Sequence, residues 1–458
     1  MAGRRVLTAL ATVAALTLAP VVTPPTATAV SALVMGGTDQ PDPEKLGDYL
    51  PDVHTTFLDP FTACSPTDCD LEGVVYPAEF WPFPQWGGLE GQKYDRSVAE
   101  GVVNLEAALR RQYLDDPDEP VVLFGASQSA TVVTFVKRKL ATHPEGMPAQ
   151  VQIVLIGNPN RPNGGLLARF APLTIPVLEF TGSGGTPTDA GIPTTDIAFQ
   201  YDIAADFPKY PLNLFALLNS IIGIDIHGDY LLNRNGYTEA ELQAAMQDPA
   251  NQQIHGDTTY ITIPTKRLPL LAPLRQLGVD HNATAVTEPL AALLEPTLRV
   301  LVELGYDRGA GYGRASGFGL LPRVDPVRLT TDLVTAVSTG LRDARAAAVA
   351  PSSRQGEPPR EPEPMVQQIS SAAEHSDVEP APEPERDRRR QSEPEHADEA
   401  GNTIDDDTTD EGTTQDKDDS EAASVDEPEP ADASGAADAE GEADEPASDA
   451  PAEPAAAA

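Results

Sequence analysis

The stretch "VVLFGASQSA", residues 121–130, indicates how this chain folds. Four apolar residues predict a buried strand that ends at Gly125, and a helical pattern follows over residues 128–141. The joint between them, Gly125-Ala126-Ser127-Gln128-Ser129, consists mostly of small residues, which allow the backbone to turn sharply. The stretch therefore predicts a strand, a tight turn and a helix in succession.

Comparable units recur along the chain. A helix is predicted from Ser97, where Ser97 and Glu100 have the spacing of a capping box, to about Tyr113, and another around 212–223. Strands are predicted in the segments "ALVMGG", "GVVYPAEF", "VQIVLIG", "TIPVLEFTG", "DIAFQYD" and "TTYITIP". Continuous apolar strands that alternate with helices predict an α/β fold with a mostly parallel sheet flanked by helices.

The C-terminal part differs in composition. Two helices are predicted after the sheet, "PLAALLEPTLRVLVEL" and "DPVRLTTDLVTAVSTGL", the second with Asp325 as its cap and Pro326 in its first turn. Residues 351–458 then contain 33 acidic and 7 basic residues and no aromatic residue, which accounts for −26 of the net charge of −40. Such a segment buries too little apolar surface to fold, so a disordered acidic tail is predicted. Basic residues form no cluster, so nucleic acid is not expected as a partner.

The N-terminus has the three parts of a secretory signal peptide. Arg4 and Arg5 precede an apolar run to about Ala19, and an A-x-A site follows at residues 27–29. A membrane anchor is the alternative, but the apolar run is short for a span, which needs about 20 residues. We therefore expect export, with the product secreted or held in the cell envelope.

Two cysteines, Cys64 and Cys69, lie close together in "FTACSPTDCDLEG". An exported chain with an even number of cysteines permits a disulfide. A small closed loop is expected, and metal binding is not, because no further ligands lie nearby in the sequence.

The serine in the tight turn suggests chemistry. A nucleophile elbow has the pattern G-x-S-x-G on a strand-to-helix turn, and here Ser129 replaces the second glycine. An ordinary structural turn would have the same context. A nucleophilic Ser127 would need a base and an acid later in the chain, which leaves His227, His255 and His281 as possible bases.

The acid is expected in the loop after "DIAFQYD", which contains Asp202 and Asp206. Asp206 is favoured over Asp202 because a loop position reaches an imidazole more easily than a strand end. An oxyanion site needs backbone N–H donors. One is expected from Gln128, and the other from Gly37 or Thr38 in "MGGTDQP", with the Thr38 hydroxyl as an additional donor.

Several segments of the chain together resemble the PE-PPE domain family of actinobacterial serine hydrolases. The resemblance is carried by "ALVMGGTDQP", "YPAEFWP", "YDRSVAEGVVNLEAAL", "FGASQSA", "GNPNRPNGG", "YDIAADFPKYPLNLFALLNSIIGIDIHGDY" and "TTYITIPTKRLPLLAPLR". These segments span about residues 31–275. We therefore expect an α/β-hydrolase domain over 30–348, with the matched core at 31–275 and a helical part at 285–348. It lies between the expected signal peptide (1–29) and the acidic tail (349–458), which is outside the family pattern.

The resemblance also implies a function. The family is similar to cutinases and lipases, which implies a triad of Ser127, Asp206 and His227 acting without a cofactor on short- to medium-chain acyl esters or lipids. His227 is favoured because Tyr230 follows it by three residues, as in cutinases, and "GGT" points to Thr38 for the oxyanion. Acyl transfer between trehalose-type glycolipids and a non-catalytic envelope role are the alternatives. Because the chain starts with a signal peptide, no PE or PPE partner is implied.

Overall fold

The computed structural model describes residues 30–65, 67–145, 147, 150–232 and 234–349. The predicted signal peptide at 1–29 lies outside these residues, as does the predicted tail from residue 350 onward.

A seven-stranded sheet forms the centre of the fold. Its strands occur in the order β2-β1-β3-β4-β7-β9-β8 and pair in parallel, except that β8 is antiparallel to β9. A separate two-stranded antiparallel hairpin is formed by β5 and β6. The strands are β1 (Val30–Met35), β2 (Cys69–Gly73), β3 (Val121–Ala126), β4 (Val151–Ile156), β5 (Thr174–Ile175), β6 (Phe180–Thr181), β7 (Thr194–Phe199), β8 (Gln252–His255) and β9 (Thr258–Ile263).

Helices connect the strands and cover both faces of the sheet. They are α1 (Tyr49–Val53), α2 (Tyr94–Asp115), α3 (Gln128–Thr142), α4 (Leu166–Phe170), α5 (Leu214–Ile222), α6 (Asp225–Gly228), α7 (Glu239–Gln247), α8 (Ala272–Asp280), α9 (Thr284–Glu303) and α10 (Pro326–Val349). A π-helical turn spans His54–Leu58, and short 3-10 turns include Pro269–Leu271 and Arg308–Ala310. The predicted α/β-hydrolase fold, with a mostly parallel sheet flanked by helices, is confirmed.

The core lies on the two faces of the sheet. Along β3, Leu123 faces a cluster with residues of α2 and α3, while Val122 and Phe124 face the opposite cluster. Side chains alternate between the two faces of a strand. All six residues of β3 are buried, which explains why the sequence shows a continuous apolar run there instead of an alternating pattern.

The strand order determines where a site can form. β1 has β2 on one side and β3 on the other, so the chain progresses in opposite directions from this point. Loops after two such neighbouring strands diverge and leave a crevice at their carboxyl ends. The segments after β1 and β3 contain Thr38 and Ser127, respectively.

Several sequence-based boundaries were wrong. Helix α2 begins at Tyr94, without a side-chain cap, and Ser97 instead donates its hydroxyl to Gln128 Oε1 at 2.9 Å. The capping-box spacing was therefore coincidental, because Ser97 is buried against the turn that contains Ser127. The segment "GVVYPAEF" contributes only Gly73 to a strand, and "TIPVLEFTG" forms the hairpin of β5 and β6, outside the main sheet. β8 was not predicted.

Two further expectations can be compared with the structure. Cys64 and Cys69 form a disulfide, as expected. At α10, the Asp325 carboxylate accepts the Val327 N–H at 2.9 Å, which is the predicted cap. Among the described residues, no helix combines the length and the apolar character that crossing a membrane requires.

Candidate active site

Ser127 occupies a strained turn between β3 and α3. Its backbone has φ 53° and ψ −113°, a conformation that residues other than glycine rarely adopt. Such strain costs about 1–3 kcal/mol and persists where the surroundings enforce it. Here the Ser127 N–H donates to the carbonyl oxygen of Ile156 at 3.0 Å, and its own carbonyl accepts the Ala130 N–H at 3.0 Å. These two backbone hydrogen bonds hold Ser127 in this conformation.

The residues on either side of Ser127 explain the small-residue pattern. A Cβ atom on Gly125 would lie 2.8 Å from the carbonyl oxygen of Ser129 and 2.9 Å from Ala130 Cα, so glycine is required there. Ser129 is fully buried, and its hydroxyl accepts the Ala126 N–H at 2.8 Å. The same hydroxyl lies 3.2 Å from the Met35 carbonyl oxygen. A serine at the second glycine position of the pattern therefore links the turn to β1.

His227 lies opposite Ser127. It belongs to the four-residue helix α6, and its Nε2 is 2.7 Å from Ser127 Oγ. Gly157, which follows β4, has φ +56°, and a Cβ there would lie 3.1 Å from His227 Cε1. The imidazole thus packs directly on a backbone position that only glycine accommodates. His255 and His281, the alternative bases, are exposed at the ends of β8 and α8.

Asp202 holds the other side of the imidazole. Its carboxylate is fully buried, and its Oδ1 lies 2.9 Å from His227 Nδ1. Oδ1 also accepts the N–H groups of Ala204 and Ala205, at 2.7 and 3.1 Å, while Oδ2 accepts the Tyr230 hydroxyl at 2.6 Å. A carboxylate only accepts hydrogen bonds, so Nδ1 carries the proton and Nε2 can accept one from Ser127.

The electrostatics of this pair favour its charged form. Burial alone would lower the pKa of the His227 imidazole, but the neighbouring Asp202 charge and its hydrogen bond outweigh burial and raise that pKa above its ordinary value. Burial would likewise raise the pKa of Asp202. The charge of His227 and the hydrogen bonds from His227 and Tyr230 instead lower it. Asp202 therefore stays ionised beside an imidazole that readily takes up a proton.

The sequence-based choice of Asp206 is corrected by the structure. Asp206 is buried, but its Oδ1 lies 2.5 Å from Arg308 Nη1 and its Oδ2 accepts the Tyr201 N–H at 2.8 Å. The hydrogen bond to His227 comes from Asp202. A loop position does not distinguish Asp206 from Asp202, because β7 ends at Phe199 and Asp202 already lies in the loop. The loop then folds back on itself, which places Asp206 on the side of Arg308.

The segments predicted to supply the oxyanion donors are the turn at Ser127 and the turn after β1. The Gln128 N–H is at the first turn of α3, where no preceding helical carbonyl can accept it. The buried Gln128 side chain is fixed by hydrogen bonds with Ser97 and with the Glu79 carbonyl oxygen, at 2.9 and 3.0 Å. The N–H of Gly37 is already donated to Gln40 Oε1 at 2.8 Å, so Thr38 stays the predicted donor from this turn. A Cβ on Gly37 would be 3.4 Å from Ser127 Cβ, so the two turns are in contact.

Helix α5, which precedes His227, has its polar side chains directed inward. The carbonyl oxygen of Leu301 accepts a hydrogen bond from Asn213 at 2.8 Å, Asn219 accepts the Leu270 N–H at 3.0 Å, and Ser220 is hydrogen-bonded to Tyr306 at 3.1 Å. Its large apolar side chains are exposed instead: Leu214, Phe215, Leu218 and Ile221, followed by Ile224. We call these five residues the α5 apolar face. In contrast, Leu268 and Leu271 of "LPLLAPL" are buried core residues.

His54 and the two cysteines also lie close together, within 4.8 Å. A metal would require thiolates, and both sulfur atoms are used in the disulfide. His54 Nε2 is in addition hydrogen-bonded to the Cys64 carbonyl oxygen at 3.1 Å. This cluster is therefore not suited to hold a metal ion.

Two residues of the site were not given these roles by sequence reasoning. Tyr230 was noted for its spacing from His227, but its hydrogen bond to Asp202 was not predicted. No role at the site was predicted for Gly157, although the "IGNP" segment after an apolar strand is a signal for a glycine turn. Both act through contacts between distant parts of the chain.

Sequence comparisons show which known proteins this chain is similar to. The PE-PPE domain family model matches residues 67–307. The uncharacterized PPE family protein PPE42 of Mycobacterium tuberculosis is 41% identical over 326 residues, which cover 69% of this chain and 51% of PPE42. Esterase PE16 of the same species is 38% identical, covering 67% and 54% of the two chains. The SL1278 acyltransferase Chp1, also from that species, is 30% identical, covering 52% and 54%.

A solved structure of a cutinase-like protein from Cryptococcus sp. is similar over 39% of this chain and 79% of that chain, with 17% identity and a TM-score of 0.27. That TM-score is too low to support a conclusion, so the fold assignment rests on the strand order. The chain spans about half the length of the curated relatives it matches. Because the family model matches more than half of the residues of this chain, the chain belongs to the PE-PPE domain family.

Proposed function

We propose that this chain is an exported serine ester hydrolase in which Ser127, His227 and Asp202 form a catalytic triad. The observation that carries the proposal is the continuous chain of short contacts from Ser127 Oγ to His227 Nε2, at 2.7 Å, and from His227 Nδ1 to Asp202, at 2.9 Å. Base and acid within hydrogen-bond reach of a serine on a strained turn are the requirements for an activated hydroxyl. The similarity to Esterase PE16 supports the same conclusion.

The first half of the reaction forms an acyl-enzyme. Ser127 Oγ attacks the ester carbonyl carbon as its proton passes to His227 Nε2. The carbonyl oxygen becomes an oxyanion, which the N–H groups of Gln128 and Thr38 stabilise. The protonated imidazole then donates its proton to the leaving alcohol, and the acyl group remains on Ser127. Asp202 stays ionised throughout and stabilises the imidazolium.

The second half repeats these steps with water. His227 Nε2 takes a proton from water, whose oxygen attacks the acyl carbonyl. Collapse of the second tetrahedral intermediate releases the carboxylic acid and returns the proton to Ser127. The steps use side chains and backbone N–H groups of this chain together with water, and no cofactor is part of the proposed mechanism.

The substrate class is an ester with an apolar acyl group of short to medium length. The α5 apolar face supports this, because it begins at Leu214, ends at Ile224 and is followed three residues later by His227. Exposed apolar patches of this kind mark binding surfaces. The expected export is supported by the disulfide between Cys64 and Cys69, since such bonds persist in oxidising compartments.

Acyl transfer is a second candidate function. The similarity to the SL1278 acyltransferase Chp1 favours it, and it uses the same acyl-enzyme. The difference is the acceptor in the second half-reaction, where a sugar hydroxyl would replace water. Access of water to the acyl-enzyme therefore decides between the two activities.

The proposal is tested with p-nitrophenyl esters of increasing acyl length. The wild-type chain is expected to release p-nitrophenol, and Ser127→Ala to reduce kcat by about 10⁴-fold or more, since the acyl-enzyme cannot form. Ser65→Ala, at a half-buried position in the loop between Cys64 and Cys69, is the matched control and is expected to retain activity. An inactive wild type, or an active Ser127→Ala variant, would refute the proposal. Trehalose added to the assay tests acyl transfer by the appearance of acylated sugar.

A further inference from the structure

The segment just before Asp202 adopts an unfavourable backbone conformation. Tyr201 has φ +72°, which is rare for a bulky residue. It is fully buried and directly precedes the aspartate that contacts His227. Any relaxation of Tyr201 toward an ordinary conformation would therefore move Asp202 relative to the imidazole.

Tyr201 is held at its backbone by the nearby Asp206 and at its hydroxyl by the distant Glu303. Its backbone N–H donates to Asp206 Oδ2 at 2.8 Å, and its hydroxyl donates to Glu303 Oε1 at 2.8 Å. Arg308 joins these two acceptors, because Nη1 lies 2.5 Å from Asp206 Oδ1 and Nε lies 3.0 Å from Glu303 Oε2. Residues 303–308, at the end of α9 and beyond, thus close a ring of hydrogen bonds around Tyr201.

The ring is built for rigidity. Arg308 forms a planar fork with donors on two sides, and each carboxylate accepts both from Arg308 and from Tyr201. The guanidinium also stacks on the Tyr306 ring, with 4.2 Å from its central carbon to the ring centroid. A lysine could make one of these contacts but not all of them.

We infer that Arg308 is a positioning residue, which fixes Asp202 against His227 by holding Tyr201 through Asp206 and Glu303. Asp206 then serves as an anchor of the loop and not as the acid. This inference rests on the proposed function for its catalytic consequence, but its geometric part can be tested without activity.

The test compares Arg308→Gln, Arg308→Lys and Lys209→Met in the full chain. Lys209 forms an ion pair with Asp307 at 2.6 Å, in the same segment, but is not part of the ring around Tyr201. It is therefore a matched control for loss of an ion pair. Folding of each variant is checked by circular dichroism and thermal unfolding, and all assays are run well below the lowest Tm.

The first measurement is the titration of His227 by NMR on histidine-labelled protein, with its resonance identified by its loss in His227→Gln. The groups facing its ring are Asp202 and Ser127, so a loosened Asp202 contact lets its pKa fall toward the ordinary value near 6.5. We expect that fall in Arg308→Gln, a smaller one in Arg308→Lys and none in Lys209→Met. A folded Arg308→Gln whose His227 titrates as in the wild type would overturn the inference.

The second measurement is ester hydrolysis. Arg308→Gln is expected to reduce kcat by about 10-fold or more, with KM within about twofold, because misplacement of the triad affects the transition state more than substrate binding. Unchanged kcat in a folded Arg308→Gln would also overturn the positioning role. An inactive wild type would refute the proposed function instead, and the NMR titration would still decide the geometric part.

Should Arg308→Gln fail to fold because Asp206 is left as an unpaired buried charge, the double variant Asp206→Asn/Arg308→Gln replaces it. This variant keeps an acceptor for the Tyr201 N–H and removes both charges. We expect it to fold and to show the same fall in the pKa of His227. A wild-type titration in the double variant would contradict the inference.

Discussion

Replacing Asp202 by asparagine is the sharpest test of the site, because its hydrogen bonds predict how the new amide would sit. Oδ1 accepts from three donors, His227 Nδ1 and the N–H groups of Ala204 and Ala205, whereas Oδ2 accepts from the Tyr230 hydroxyl. The amide oxygen is therefore expected at the position of Oδ1, since the NH₂ group there would face three donors. In that orientation His227 keeps its proton on Nδ1 and remains a base.

The decrease in kcat expected for Asp202→Asn then comes from removing the negative charge beside His227. An imidazolium and a carboxylate about 4 Å apart attract each other by roughly 4 kcal/mol at an effective dielectric constant near 20. Removing that attraction in the transition state corresponds to a decrease of about 10³-fold in kcat. A wrong tautomer would cost more, about 10⁴-fold as in serine proteases. The expected value lies below that limit because the two alanine N–H groups fix the amide.

The assay measures kcat on p-nitrophenyl butyrate for Asp202→Asn and for Asp206→Asn, which is matched in chemistry and burial. For Asp206→Asn we expect kcat to fall by only about 10-fold, because the new amide keeps an acceptor for the Tyr201 N–H and makes no contact with His227. A larger loss in Asp206→Asn than in Asp202→Asn would refute the assignment of the acid. A loss of about 10⁴-fold or more in Asp202→Asn would refute the predicted orientation of the amide.

Three further predictions concern the same site. The pKa of His227 is raised, and only the neutral imidazole is a base, so kcat/KM should fall as pH decreases through a midpoint above 6.5. A midpoint at or below 6.5 would contradict the effect of Asp202 on this pKa. Gly157→Ala places a methyl group 3.1 Å from His227 Cε1 and should reduce kcat by about 10-fold or more. Gly191 also has a positive φ but has open space around it, so Gly191→Ala is the control and should lower Tm while leaving kcat unchanged. Equal kcat in both alanine variants would argue against contact between Gly157 and the imidazole. Leu218→Ser on the α5 apolar face should raise KM for octanoate esters about fivefold or more and leave KM for acetate esters unchanged. Val334→Ser, at an exposed position of α10, is the control. Equal effects on both esters would exclude an acyl-binding role for the α5 apolar face.

The sequence alone was sufficient for the architecture around Ser127. A run of apolar residues ending in Gly-Ala-Ser encodes a buried strand and a tight turn, and both are local properties of neighbouring residues. The position of Ser127 came from a local motif and the choice of His227 from the resemblance to cutinases, and the structure brings these two residues to 2.7 Å. The disulfide was likewise indicated by two cysteines close in the sequence.

Local reasoning failed where a residue has a plausible local role and a different tertiary one. Ser97 fits a capping box by spacing, yet its hydroxyl is used by Gln128, 31 residues later in the chain. The segment "TIPVLEFTG" has strand propensity, but its pairing partner is itself, in a hairpin outside the main sheet. Propensity does not specify the partner of a strand, because pairing depends on the rest of the fold.

The choice between Asp202 and Asp206 shows most clearly what the sequence determined and what the tertiary structure decided. From the sequence alone, both are acidic residues near the end of the same strand, separated by four positions, and either could reach a histidine. The decision comes from Arg308, about 100 positions later, which binds Asp206, and from Tyr230, which donates to Asp202. Such contacts form only when distant segments pack together, so residue type and spacing fix the chemistry that is available, while the fold decides which carboxylate lies against the imidazole.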